Sequence, residues 1–144
     1  GNKGDISRGA SPGNRFEPGK KPMSTMAPTI IFDENNELFL ITGSPGGSDI
    51  PAAILRVITG VIDFDLDIGE ATMLPRIHKD WPYVGLEHER AVSRDIVRRL
   101  KSMGHKTEYE NTIGSTQSIH VINGTNYGFA DLRRPNAGVS VQTN

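Results

Sequence analysis

The sequence lacks cysteine, long apolar runs and any strong excess of charge. Without cysteine, the chain forms no disulfide framework, no cysteine-ligated zinc site and no thiol nucleophile. Its longest apolar runs are four residues, such as residues 38–41, against the roughly 18 that a membrane span needs. A net charge of −1 disfavours a nucleic-acid binder. We therefore expect no membrane span in this chain and no nucleic-acid partner.

Signals for a metal ion or a cofactor are also scarce. The four histidines, at positions 78, 88, 105 and 120, show no helical i, i+4 spacing and belong to no zinc signature. Residues 87–90 form a charge run of the kind usually found on a solvated edge. We expect neither a metal ion nor an organic cofactor.

The length of 144 residues predicts one domain. Its first 28 residues contain five glycines and four prolines without apolar periodicity, which predicts an extended, irregular segment over residues 1–28. The folded part then spans residues 29–144.

The strand-forming segments predict mainly antiparallel pairing. Apolar runs at 29–32 and 38–42 flank a polar turn and predict a hairpin, and their nearly continuous hydrophobicity favours strands covered on both faces. Without a covering partner, one face would be partly bare. Further strands are predicted over 106–110, 115–122 and 126–131, the last two joined by a tight turn at Asn123-Gly124.

Three helices complete the α/β (α+β) prediction. Apolar residues spaced by three and four predict a helix over 50–62, with Ser48 as its N-cap. A second helix over 67–73 opens with Asp67 and Glu70 at capping-box spacing. A third, over 93–103, ends at a glycine C-cap, Gly104, and is predicted to face its apolar residues inward: Ile96, Val97, Leu100 and Met103.

The most informative stretch is Gly43-Ser44-Pro45-Gly46-Gly47-Ser48, between a strand and a helix. A glycine pair there lets backbone N–H groups approach a ligand, and the helix dipole favours an anion: a phosphate, a carboxylate or an oxyanion. The spacing matches neither a Walker loop nor the dinucleotide fingerprint. A tight turn without a ligand is the alternative that an isolated glycine pair leaves open.

A pair of hydroxyls, Ser24 and Thr25, lies between Pro22 and Pro28 just before the first strand. A stiff, extended backbone would let the two hydroxyls bind a carboxylate, although a polar lead-in to the strand explains them equally simply. From these residues alone, no nucleophile with a positioned base can be named.

Five motifs taken together resemble the C-terminal part of γ-glutamyltranspeptidase. They occur in the family's order over about residues 13–134, and they are 22–30, 42–48, 75–78, 114–119, and 127–134 with Tyr127-Gly128, Asp131 and Arg133-Arg134. The resemblance implies part of an αββα sandwich of the N-terminal-nucleophile hydrolase type. In this family, autocleavage of a precursor produces a large and a small subunit.

The resemblance also implies an activity. A Thr freed at the start of the small subunit, with its own amine as base, attacks a γ-glutamyl amide such as glutathione and passes the glutamyl group to an amino acid, a peptide or water. That Thr is not in this chain, so we expect a fragment that is inactive alone. Its expected partners are the large subunit, the remainder of the small subunit and a small γ-glutamyl substrate, in the periplasm or outside the cell.

Residue by residue, the resemblance implies that Gly46 and Gly47 form the backbone oxyanion hole and that Ser24 and Thr25 bind the glutamyl α-carboxylate. The family commonly has two serines where this chain has Ser24-Thr25. Asp49 stands where many members carry Arg, and Leu132 where many carry Pro. These departures bear on substrate preference rather than on fold.

Two alternatives remain open. One is a related N-terminal-nucleophile enzyme, either a cephalosporin or glutaryl acylase or a poly-γ-glutamate transpeptidase. The other is a non-catalytic anion-binding module built on Gly46 and Gly47.

Overall fold

The computed structural model describes residues 17–21, 24–80 and 85–140. They form a mixed α/β fold, as predicted. The elements in chain order are β1 (Thr29–Phe32), β2 (Leu38–Gly43), α1 (Ile50–Phe64), α2 (Ile68–Met73), β3 (Ile77–His78), β4 (Gly85–His88), α3 (Arg94–Ser102), β5 (Lys106–Tyr109), β6 (Gln117–Ile122) and β7 (Thr125–Ala130). Within the predicted irregular segment, the described residues 17–21 and 24–28 contain no helix or strand. Its other residues lie outside the described part.

The larger sheet has four antiparallel strands in the order β1-β2-β6-β7. Both predicted hairpins are confirmed, and each has a residue suited to its turn. Asn36 turns between β1 and β2 at φ 63°, while Asn123 and Gly124 turn between β6 and β7 at φ 51° and 74°. Two successive positive φ angles match the right-handed twist of paired strands.

The smaller sheet was not fully predicted. Its order is β3-β4-β5, and β4 pairs parallel with β5 through the α3 crossover. The sequence pattern does not predict β3 and β4, because β3 is only two residues long and β4 leads into the charged run. The interpretation of that run as a solvated edge is wrong at Glu89, which is 6% exposed.

The core lies between the four-stranded sheet and helices α1 and α2. It is formed by Leu40, Val57, Val61, Ile68 and Ala71. The two helices approach each other closely at Gly60, where an added Cβ would lie 2.8 Å from the Cβ of Ala71. The helix layer therefore covers one face of the sheet.

The opposite face of the sheet is apolar and uncovered in the described part of the chain. Ile30 is 59% exposed, Phe32 54% and Ile119 39%. One covered and one bare face is the arrangement expected of half a sandwich.

The start of α1 differs from the prediction. A short 3₁₀ turn, Gly47–Asp49, precedes α1, and Asp49 rather than Ser48 is the N-cap, without a side-chain capping bond. Ser48 cannot cap because the backbone already turns helically there. The capping box of α2 is confirmed, since Asp67 accepts the Glu70 N–H and Glu70 accepts the Asp67 N–H.

Helix α3 forms where predicted, with Ser93 as N-cap, but its C-cap is Met103 rather than Gly104, which follows at φ 93°. The prediction that its apolar residues face inward is wrong for Ile96 and Met103, whereas Val97 and Leu100 are half-buried. Ile96 is 52% exposed and Met103 66%, and no residue of α3 is buried. The amphipathic pattern is present, but in the described part of the chain it does not become part of a buried core.

Candidate functional site

Strand register brings the sequence motifs to one end of the four-stranded sheet. Thr29 pairs with Thr42, Gly43 with Gln117, and Gln117 with Ala130. The segments before β1, after β2, before β6 and after β7 therefore leave the sheet at the same end. Four motifs that are up to a hundred residues apart in sequence meet there.

The glycine pair has a backbone that favours glycine. Gly46 has φ 143° and Gly47 φ 66°, and the 3₁₀ turn that leads into α1 starts at Gly47. An added Cβ on Gly47 would meet nothing within 4 Å, so the space beside it is open. Neither glycine N–H donates to another of the described residues. This turn can present bare N–H groups to an anion.

The glycine loop is tethered to the segment before β6. The Ser44 hydroxyl accepts the N–H of Ser115 at 2.9 Å and donates to the Pro45 carbonyl at 2.7 Å. Gly114 packs directly under the loop at φ 67°, where a Cβ would lie 2.6 Å from that of Ala53. Gly114 therefore lets the two segments approach, and Ser115 holds them together.

A buried ion network supports this segment from below. Asp131, fully buried, accepts a guanidinium N–H of Arg76 at 2.9 Å, the Thr116 N–H at 2.9 Å and the Arg133 N–H at 3.0 Å. Arg76 is 1% exposed and also donates to the carbonyls of Ile113 and Thr72, each at 2.9 Å.

Glu89 closes the network from the smaller sheet. Its carboxylate accepts two Arg133 side-chain bonds, at 2.7 and 2.8 Å, and the N–H groups of Arg76 and Ile113 at 2.9 and 3.1 Å. Two buried carboxylates and two guanidinium groups are thus paired and hydrogen-bonded, which buried charges require.

The ion pairs and hydrogen bonds lower the pKa of both buried carboxyl groups, Glu89 and Asp131. Burial by itself would raise the pKa of Glu89, but the hydrogen bonds from Arg133, Ile113 and Arg76 hold it below the ordinary value. Burial would likewise raise the pKa of Asp131, and the hydrogen bonds from Arg133 and Thr116, with the charge of Arg76, lower it instead. Both side chains are therefore carboxylates at neutral pH.

Sequence reasoning missed this network. Arg76, Asp131 and Arg133 belong to the motifs that carry the resemblance, but spacing alone gave them no role. Their positions within those motifs were the available signal. In the structure they fix the segment that holds the glycine loop.

The structure places the hydroxyl pair at the same sheet end without joining it to the glycine loop. Ser24 is exposed, and its hydroxyl accepts the Met26 N–H at 3.2 Å, while Thr25 is half-buried. Among the described residues, no hydrogen bond links Ser24 or Thr25 to Gly46 or Gly47.

Comparison with known proteins identifies relatives. Residues 2–141 match the family model described as Gamma-glutamyltranspeptidase. The chain is 40% identical over 121 residues to the glutathione hydrolase proenzyme of Escherichia coli (strain K12), which covers 83% of this chain and 21% of that protein. The chain thus spans about a fifth of the length of that protein and of the glutathione hydrolase proenzyme of Bacillus subtilis (strain 168).

Solved structures show the same fold. A Helicobacter pylori gamma-glutamyltranspeptidase T380A mutant matches with a TM-score of 0.81 and 36% identity over 87% of this chain and 69% of that chain. A cephalosporin acylase from Bacillus halodurans matches with a TM-score of 0.80 and 24% identity over 91% of this chain and 25% of that one. At that identity the second match concerns the fold alone. In the described residues, no helix is long and apolar enough to cross a membrane.

Proposed function

The chain belongs to the gamma-glutamyltranspeptidase family, and on that premise we propose that residues 29–144 are the C-terminal portion of a γ-glutamyltransferase or glutathione hydrolase. The complete protein cleaves γ-glutamyl amides through a Thr acyl-enzyme whose Thr lies outside this chain. The glutamyl group then passes to an amino acid, a peptide or water.

In this proposal the glycine pair stabilises the reaction's charged intermediates. Attack of the Thr oxygen on the γ-carbonyl carbon forms a tetrahedral centre whose oxygen carries the negative charge. The N–H groups of Gly46 and Gly47 donate to that oxyanion. As the carbonyl re-forms, the C–N bond breaks, and the leaving amine takes the proton that the Thr hydroxyl gave to the Thr α-amine. The observation that carries the proposal is the pair of positive φ angles beside open space at Gly47.

The same premise supplies partners and location. The relative from Escherichia coli is named a proenzyme, and we propose that this chain likewise derives from a precursor cleaved into a large and a small subunit. The bare apolar face of the four-stranded sheet, with Ile30 and Phe32 exposed, is a suitable surface for the rest of that sandwich. We propose a periplasmic or secreted enzyme.

Replacement of Gly47 by Val in the full-length protein tests the oxyanion assignment. The Val side chain would enter the open space beside the turn, and positive φ disfavours it. Turnover of a γ-glutamyl anilide should fall by about 100-fold or more, the scale of losing one oxyanion donor. Subunit processing and circular dichroism should show a matured, folded protein.

Gly124→Val is the matched control. Gly124 also has positive φ, 74°, and open space around it, but it lies in the β6–β7 turn at the far end of the sheet. It should reproduce the backbone strain without the loss of turnover. If the processed Gly47→Val enzyme is as active as Gly124→Val, the glycine turn does not stabilise the oxyanion.

The hydroxyl pair is tested through substrate binding. Ser24→Ala should weaken binding of the γ-glutamyl donor by about 1–3 kcal/mol if Ser24 donates to the α-carboxylate, and so raise KM. Thr25→Ser keeps the donor and should have little effect. An unchanged KM for Ser24→Ala would argue against a carboxylate ligand at this position. A glutaryl anilide measured in parallel distinguishes the acylase alternative, for which it would be the preferred substrate.

A further inference from the structure

Three side chains with metal-binding atoms meet beside the glycine turn. Asp49, His78 and Glu87 come from three different elements, and one ligand atom of each lies within 4.8 Å of those of the other two. His78 and Glu87 are direct partners across the β3–β4 pair. Asp49 ends the 3₁₀ turn that begins at Gly47. The fold, rather than any spacing in the sequence, brings them together.

The histidine nitrogen faces the carboxylates and lacks a hydrogen bond. His78 is only 11% exposed in its side chain, and its Nε2 is inaccessible to solvent and has no hydrogen-bond partner in the described structure. Its distance to Asp49 Oδ1 is 3.7 Å, too long for a hydrogen bond. A buried ring nitrogen normally has a partner. Here the missing partner lies on the side of the two carboxylates.

The distance suits two ligands of one ion. Imidazole nitrogen and carboxylate oxygen bind Zn²⁺ at about 2.0–2.2 Å, so two donor atoms on one ion are roughly 3–4 Å apart. The 3.7 Å separation of Asp49 and His78 lies within that span. All three ligand atoms lie within 4.8 Å of one another. Even a pair at that distance would come within reach of one ion after a side-chain movement of less than about an ångström.

The two carboxylates of the cluster repel each other. The Asp49 side chain is 22% exposed and Glu87 is half-buried. Burial, and then the negative charge of Asp49, raise the pKa of Glu87, while His78 lowers it. A divalent ion bound by both carboxylates would offset their mutual repulsion.

We propose that Asp49, His78 and Glu87 form a binding site for a first-row divalent cation of the Zn²⁺ or Mn²⁺ class. An imidazole ligand favours these ions over Mg²⁺ and Ca²⁺, which prefer oxygen ligands alone. The bound ion ties the glycine turn to the smaller sheet, since Asp49 follows Gly47 by two residues. This departs from the expectation drawn from histidine spacing, which a site assembled from three elements does not reveal.

The test measures Zn²⁺ binding to the full-length, processed protein after removal of metals with a chelator. Calorimetric titration should give one Zn²⁺ per small subunit, and Co²⁺ at the same site should give visible absorption typical of a nitrogen-ligated ion. Mg²⁺ should not compete. Because no turnover is measured, failure of the proposed catalytic role leaves this test intact.

Three substitutions locate the site. Asp49→Asn, His78→Gln and Glu87→Gln should each weaken Zn²⁺ binding by about 100-fold or more, since loss of even an outer partner of a ligand costs 10–100-fold. Asp63→Asn removes the same charge from an exposed position near the end of α1 and should bind like the unaltered protein. Circular dichroism checks folding, and the three variants serve as independent tests.

Two results would overturn the proposal. One is the absence of stoichiometric Zn²⁺ binding to the unaltered protein. The other is equal binding by all three folded variants, which would place any bound Zn²⁺ elsewhere.

Discussion

The two sheets of this chain are built in different ways. The four-stranded sheet has two helices packed on one face, a core that includes Leu40 and Val57 at 0% exposure, and a buried ion network at one end. The three-stranded sheet has helix α3, which buries no residue, and an aromatic side chain, Tyr109, that is 51% exposed.

The two regions differ in whether their charged side chains are buried or exposed. Where the larger sheet meets the start of β3 and the end of β4, charged groups are buried, paired and connected to the glycine loop through Ser115 and Ser44. On α3, the pair Arg98–Asp95 is about four-fifths exposed. The candidate oxyanion turn therefore rests on the region with the larger core, which suits a site that must hold its geometry.

The largest expected effect on stability is Arg76→Met. This change removes the guanidinium that pairs with Asp131 and satisfies the carbonyls of Thr72 and Ile113. Loss of one partner of a buried pair costs about 3–5 kcal/mol. Denaturant unfolding of the full-length protein, followed by circular dichroism, measures the change.

Arg98→Met is the matched control from the other region. Its partner Asp95 remains solvated, so the loss should be about 0–1 kcal/mol. Equal effects of the two substitutions would mean that burial does not distinguish the two regions.

The second largest expected effect is a loss of stability in acid, when the carboxylates of the ion network become protonated. The folded pKa values of Glu89 and Asp131 lie below their ordinary values of 4.5 and 3.8. Carboxylates of this kind contribute stability that is fully present above the unfolded pKa and is lost as the pH falls through the folded one. The free energy of unfolding should therefore decline as the pH falls below about 5.

Asp131→Asn isolates the contribution of that carboxylate. The variant is less stable at neutral pH, and its free energy of unfolding should depend less steeply on pH between about 5 and 2 than that of the unaltered protein. Parallel pH series of denaturant midpoints give both slopes. Identical slopes would show that Asp131 has the same pKa folded and unfolded.

The smallest expected effect is Met103→Ala at the end of α3. Met103 is 66% exposed, so the change should alter the free energy of unfolding by no more than about 0.5 kcal/mol. Leu40→Ala, at 0% exposure in the core of the larger sheet, should cost about 2–5 kcal/mol. A large effect of Met103→Ala would show that another part of the protein covers α3.

Prediction from sequence succeeded where the determinants are local. The alternation of apolar runs with Asn123-Gly124 predicted a hairpin, and Asp67 with Glu70 predicted a capping box. It failed where the outcome depends on neighbours. Helix α3 carries the same kind of amphipathic signal as α1, but it buries no residue against the smaller sheet, whereas six residues of α1 are buried.

The candidate site also has one part that local sequence predicted and one part that it did not. Two adjacent glycines before a helix predicted an anion-suited turn, because positive φ and bare N–H groups are properties of glycine itself. Nothing in the spacing of Arg76, Glu89, Asp131 and Arg133 predicted their contact, because they come from separate segments.

The sequence by itself determined five of the seven described strands, the three helices and the family, because these depend on short-range pattern and on motifs kept in order. Only the tertiary structure decided that the motifs share one sheet end, and that Asp49, His78 and Glu87 form one cluster. Strand register and the close packing of separate segments set those distances, and both arise from contacts between residues far apart in the chain.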